Sequence, residues 1–86
     1  MKTCYLVMVT RTPDFRDDVG AEHVRFLDAV RARGQLLLTG GFTDKSGGAY
    51  VLQDIADLAA AQALVDTDPL LVQGSATARI HEWSTR

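Results

Sequence analysis

Two histidines stand in this sequence, and only one of them, His23, falls where a helix would turn it inward. Val19, His23, Phe26 and Val30 recur at steps of four, three and four, with Leu27 beside them, which is one face of an amphipathic helix. An imidazole set into such a stripe, able to gain and lose a proton near neutral pH, suits general acid–base work. The same position also suits a packed histidine whose N–H is satisfied. A base needs a solvent-connected pocket and a carboxylate nearby; a packed residue needs neither. His81 shares one face of a C-terminal strand pattern with Arg79, where the two suit either binding of an anion in a cavity between subunits or a polar interface.

The other reactive side chains point to structure. Cys4 lies in a strand pattern and reads as a small buried hydrophobe. Tyr5, in the same run, reads as core. Ser46 sits in a glycine turn with no base beside it, so nucleophilic catalysis is not supported. Gly40-Gly41 and Gly47-Gly48 lack the spacing of a phosphate-binding loop. His23, His81 and Cys4 have no metal-ligand spacing, so neither a metal nor a cofactor is expected.

Composition narrows the classes further. Eighty-six residues are read as a single domain, residues 1–86, too short for a second core. A chain of this size buries a modest share of its surface, so pairing is a natural way to complete the core. The net charge is −2, and the basic residues of the first helix, Arg25, Arg31 and Arg33, are interrupted by Asp28. No basic stripe of the kind a phosphate backbone requires is present, so no nucleic-acid partner is expected. One cysteine cannot form an intrachain disulfide. With no secretory pattern and no apolar run near 20 residues, the expectation is a cytoplasmic protein without a membrane partner.

The elements that must position His23 follow from local patterns. Thr3 to Thr10 is a continuous β-branched and aromatic run, a strand covered on both faces, with Cys4, Leu6 and Met8 on one side and Tyr5, Val7 and Val9 on the other. Arg11 to Arg16 forms a loop, in which Thr12-Pro13-Asp14 is turn chemistry. A helix starts near Asp17 or Asp18 and closes at Gly34, a left-handed terminal residue. Gln35 to Thr43 forms a second strand with a bulge or close backbone approach expected at Gly40-Gly41. A turn over Asp44 to Gly48 leads to a third strand, Ala49 to Gln53. Asp57 opens a second helix with Leu58, Ala61, Leu64 and Val65 as its apolar stripe, and Asp66-Thr67-Asp68-Pro69 ends it. Pro69 can open a short turn through Val72. The last strand runs from Ala76 to Trp83, with Ala76, Ala78 and Ile80 opposite Thr77, Arg79, His81 and Trp83.

Two βαβ units joined by a hairpin predict a ferredoxin-like α+β sandwich: a four-stranded, mainly antiparallel sheet with both helices on one face. The uncovered sheet face would carry apolar groups including Trp83, which predicts a homodimer through that face.

The order of these segments resembles a known family. His23 within Ala21-Glu22-His23-Val24-Arg25-Phe26-Leu27 is followed by Gly34-Gln35-Leu36-Leu37-Leu38-Thr39-Gly40-Gly41. Ala59-Ala60-Ala61-Gln62-Ala63-Leu64, Asp66-Thr67-Asp68-Pro69 and Gly74 come next. Over essentially the whole chain this is similar to the YciI-like (YCII) family of dimeric α+β barrel proteins. The resemblance implies that His23 and Asp68 form a catalytic pair. It also implies a small-molecule substrate: some members act in aromatic catabolism, including dehydrochlorination of a chlorinated hydroxyquinol, and the fold is shared with muconolactone isomerase-like proteins. Where members often read Ala-Gly-Pro after the second strand, this chain reads Thr39-Gly40-Gly41-Phe42.

On that resemblance, a carboxylate on one ring nitrogen of His23 would fix its tautomer and stabilise the imidazolium that forms. Backbone N–H groups at Gly40-Gly41 would steady a developing oxyanion. The expected function is cofactor-independent proton transfer, driving isomerisation or elimination on a small aromatic or lactone-type molecule. The alternative is a non-catalytic dimeric module that holds a small metabolite. With the two helices taken as running roughly parallel, His23 near the start of one and Asp68 beyond the end of the other stand at opposite ends of a subunit, unless loop curvature or a dimer brings them together.

Overall fold

In a computed structural model describing residues 1–86, seven elements follow one another along the chain. They are β1 (Lys2–Arg11), α1 (Val19–Ala32), β2 (Leu36–Gly41), β3 (Gly47–Leu52), α2 (Leu58–Val65), α3 (Pro69–Val72) and β4 (Ala76–Thr85). The strands form one four-stranded sheet in the order β2-β3-β1-β4, every neighbouring pair antiparallel. This is the α+β, βαββαβ arrangement that the alternation of patterns predicts.

The covered face is built as the strand alternation requires. Tyr5, Val7 and Val9 of β1 pack with Tyr50 and Leu52 of β3, Val19, Leu27 and Val30 of α1, and Ala61 and Val65 of α2 in a single core. Leu6 and Met8 point to the other face, where Leu6 stands across from His81 and Met8 from Arg79. That face has no helix over it. Leu38 is 68% exposed and Trp83 46%, and with Leu6, Phe42 and Val51 they line a shallow apolar depression.

Several local expectations need correction. The bulge lies at Leu37, since Leu36 stands opposite Leu52 and Leu38 opposite Val51, and not at Gly40-Gly41, which remain in regular register with Ala49 and Gly48. The close backbone approach is at Gly40-Gly41 as expected, and its partner is on β3, which begins at Gly47: a Cβ on Gly48 would run into the Gly40 carbonyl oxygen. Leu58 is not in the apolar stripe of α2; it is 43% exposed. At the start of α1 the Asp18 side chain makes no capping bond and pairs with Arg16 at 2.9 Å. The end of α1 is as expected, with Gly34 at φ 75° and Gln35 N–H donating to the Val30 carbonyl, a Schellman closure.

The two long helices are antiparallel, not parallel, and the connectivity shows why. β1 ends at Arg11, opposite Ala76, the first residue of β4. α1 therefore starts at that end of the sheet and runs away from it to enter β2. β3 runs antiparallel to β1, so α2 starts at the far end and climbs back, and α3 delivers the chain to Ala76. The N-terminal end of α1 and the segment after α2 thus share one end of the sheet. The link is tied there by Thr12 N–H to the Ser75 carbonyl at 3.0 Å and the Thr12 hydroxyl to the Gly74 carbonyl at 2.7 Å.

Candidate active site

Asp68 is placed by the chemistry of its own tetrapeptide. Pro69 is pre-set for the first position of a helix, and the residue before it is held extended, at φ −61° and ψ 124°. Asp68 is therefore the N-cap of α3, and its Oδ1 accepts the Leu70 N–H at 3.0 Å. The carboxylate is completely buried. Oδ1 also meets His23 Nδ1 at 2.9 Å, and Oδ2 accepts the Tyr50 hydroxyl at 3.0 Å. Three donors from three elements thus surround one buried acid.

Each partner is fixed in turn. Tyr50 lies on the covered face of β3, itself nearly without exposed surface. Burial first, then the Asp68 charge and hydrogen bond, push its phenol far above the usual 10.0, so it remains a protonated donor. The His23 ring lies near-parallel to Phe26, 18° between planes with centroids 6.4 Å apart, and 6.0 Å from the Tyr50 ring. A carboxylate only accepts, so the proton of the contact with Asp68 belongs to His23 Nδ1. In the neutral ring Nε2 then keeps its lone pair. Nε2 has no protein partner, and it is not among the buried polar atoms left unpaired, of which the Ser75 hydroxyl oxygen is the sole case.

His23 opens on a cavity of about 310 Å³ between α1 and the end of the sheet. Gly40, Gly41, Gly47 and Gly48 line it with bare main chain, Val9, Leu27 and Leu70 with apolar side chains, and Arg11 and Phe15 complete the lining. The hydroxyl of Thr39, which also lines it, is directed to the Ala49 carbonyl at 3.3 Å. Together these give a base or acid with a fixed tautomer, a dry carboxylate behind it, and an apolar chamber in front. No group of three or more His, Cys, Asp or Glu side chains converges anywhere in the fold.

Of the residues singled out from the sequence, His23 and Asp68 come together within one chain, and Gly40 and Gly41 join them at the cavity wall. Arg79 and His81 do not; they stand on the uncovered face of β4, across the sheet from this cavity. Two residues were missed. Tyr50 lay within the predicted third strand without a role of its own, and nothing local announces that its hydroxyl meets a buried acid. Arg11, at the end of β1, looked like the start of a loop. Its signal was its inward register with Val7 and Val9.

The chain matches a model of the YCII-related domain over residues 3–84. It is 39% identical over 83 residues to YjpA, an uncharacterised protein of Bacillus subtilis strain 168, covering 95% of each chain. In structure it is similar to 5-chloro-2-hydroxyhydroquinone dehydrochlorinase of Burkholderia phenoliruptrix AC1100, solved in complex with 2,5-dihydroxybenzoquinone. The TM-score is 0.76 at 16% identity, over 94% of this chain and 93% of that one. At that identity the likeness is one of fold.

The Tyr50–Asp68 contact makes a stability prediction with a defined sign. A phenol whose folded-state pKa is raised contributes stability that is complete below its unfolded value of 10.0 and is lost as pH rises beyond it. Tyr50→Phe leaves Asp68 Oδ2 without its donor, a cost of about 1–3 kcal/mol at pH 7. Urea midpoints measured from pH 7 to pH 11 should show the variant less stable at neutrality, with the gap closing above about pH 10. Parallel curves would mean that the Tyr50 phenol contributes no pH-dependent stability through Asp68.

Proposed function

The chain belongs to the YCII-related domain family, and from that membership and the site's geometry we propose that it is a small enzyme working by proton transfer without a cofactor. The observation that carries this is the buried Asp68 carboxylate holding His23 Nδ1 at 2.9 Å, with Nε2 left for the cavity. His23 Nε2 takes a proton from an acidic carbon or hydroxyl of the substrate. The electron pair left behind forms a new double bond. In an isomerisation the imidazolium returns the proton at another atom; in an elimination a leaving group departs with its bonding pair and His23 passes the proton to solvent. Asp68 orients the ring and stabilises the imidazolium, while Tyr50 and the Leu70 N–H hold Asp68 still.

The chamber suits a small, flat, largely apolar molecule. Aromatic hydroxyquinols and enol lactones are the substrate classes that fit, and the fold-related dehydrochlorinase supports the former. A non-catalytic module that holds such a molecule is the second reading, favoured by the same cavity. We also propose that the uncovered sheet face pairs with a second copy, on the strength of exposed Leu38 and Trp83 flanking Leu6 and Val51. Arg79 and His81 then sit at or near that interface, where they can line a cavity between subunits.

Two measurements test these readings. Wild type, His23→Gln and Asp68→Asn should be assayed on a panel of chlorinated hydroxyquinols and enol lactones, following chloride release and ultraviolet absorbance. The expected loss in kcat is about 10²–10⁴-fold for His23→Gln, and about 10²-fold or more for Asp68→Asn, with ligand binding retained. Saturable binding with no turnover on any member of the panel favours the binding module. Sedimentation should find a dimer for wild type and a monomer for Trp83→Glu; a monomeric wild type at micromolar concentration rejects the pairing.

A further inference from the structure

The cavity beside His23 is electrostatically one-sided. Among the side chains that line it, Arg11 alone carries a fixed charge, and no carboxylate reaches its surface. Asp68, the acid bonded to His23, has no exposed surface at all. This holds in a chain whose net charge is −2, so the local field runs against the average.

Arg11 is also free to act. The ion pairs of the fold are Arg16–Asp18 and Arg31–Asp28, and neither these nor the His23–Asp68 contact uses Arg11. Its guanidinium carbon lies 4.0 Å from the centre of the Phe15 ring, which lines the same cavity. Its main chain is anchored on both sides of the strand, by N–H donation to the Ser46 carbonyl at 2.9 Å and by the pairing with Ala76. A long cation that elsewhere would sweep through solvent is thus held beside the opening. Beside it in the sheet, the glycine main chain carries no side chains, and a Cβ on Gly41 would find nothing closer than the Gly47 carbonyl oxygen at 3.9 Å. Bare main chain and a ring-backed guanidinium lining one cavity suit a flat, negatively charged molecule.

We propose that the cavity selects a planar organic anion, its acidic group paired with the Arg11 guanidinium and its ring or enol carbon presented to His23 Nε2. Arg11 is a specificity-determining residue in this arrangement, and the proposal rests on reading the same cavity as the substrate site. A guanidinium matches a carboxylate or an ionised enol–carbonyl pair with two parallel hydrogen bonds, which an ammonium does only as a point charge. Holding the charge at Arg11 also leaves His23 to work on the far side of the molecule.

The test compares isosteres that differ in charge. Dissociation constants for 4-hydroxybenzoate and 4-hydroxybenzamide are measured by amide-shift titration on wild type, Arg11→Gln, Arg11→Lys and His23→Gln, each checked for an unchanged spectrum in the absence of ligand. Wild type should bind the acid about tenfold or more tightly than the amide, with the preference shrinking as salt is added. Arg11→Gln should abolish the preference by weakening the acid alone, with the amide within about twofold of wild type, and Arg11→Lys should restore part of it. His23→Gln should keep the preference, so that loss of the catalytic reading and loss of this one are separate results. Equal binding of acid and amide by wild type, binding of neither, or a preference that survives Arg11→Gln overturns the proposal.

Discussion

A carboxylate with no exposed surface is the constraint around which this small fold is arranged. Removing an ion from water costs several kcal/mol unless its oxygens are met by donors of good geometry. Asp68 meets that condition with donors from α1, β3 and its own cap, at 2.9, 3.0 and 3.0 Å. None of the three is near it in sequence except Leu70. The acid therefore fixes how α1 and α3 sit on the sheet, and the same bonds set the ring of His23. Stability and site geometry are one network, so a change that loosens one loosens the other.

The network is asymmetric in a way that matters for chemistry. Asp68 is dry on one side of the imidazole, and the cavity lies on the other. Tyr50, kept protonated by burial and by the charge beside it, occupies the second carboxylate oxygen and leaves Oδ1 to its own cap and to His23. A helix cap thus doubles as the orienting acid of the pair. Gly41 of β2 contributes by what it lacks, since a side chain there would project into open space at the cavity, whereas Gly47 and Gly48 of β3 let the neighbouring main chain come close.

Much of the architecture was legible in the chain. Alternation in β1, the stripe from Val19 to Val30, the Gly34 closure and the Asp68-Pro69 stop each state a local rule, and each appears in the fold. The site was legible only in part. His23 announced itself by breaking an apolar stripe, and Asp68 came through family resemblance. Expecting the two helices to run parallel set them apart, although β1 and β3 run oppositely and each helix must reverse its own strand, which brings both residues to one end. Tyr50 and Arg11 stayed hidden because their roles depend on register: a tyrosine on the covered face of β3 and an arginine at the end of β1 gain meaning only once the strands are paired. The bulge at Leu37 escaped for a related reason. Glycine marks where a backbone can bend, whereas the extra residue here is set by how β2 must meet β3.

Asp68 dictates which nitrogen of His23 carries the proton. The most direct test of that dependence is the nitrogen-15 spectrum of the His23 ring, recorded at a pH where the ring is neutral, for wild type and for Asp68→Asn. The wild-type ring should be protonated on Nδ1 with Nε2 bare, and the variant should lose that fixed tautomer. A wild-type ring protonated on Nε2, or a spectrum unchanged by Asp68→Asn, would contradict that dependence.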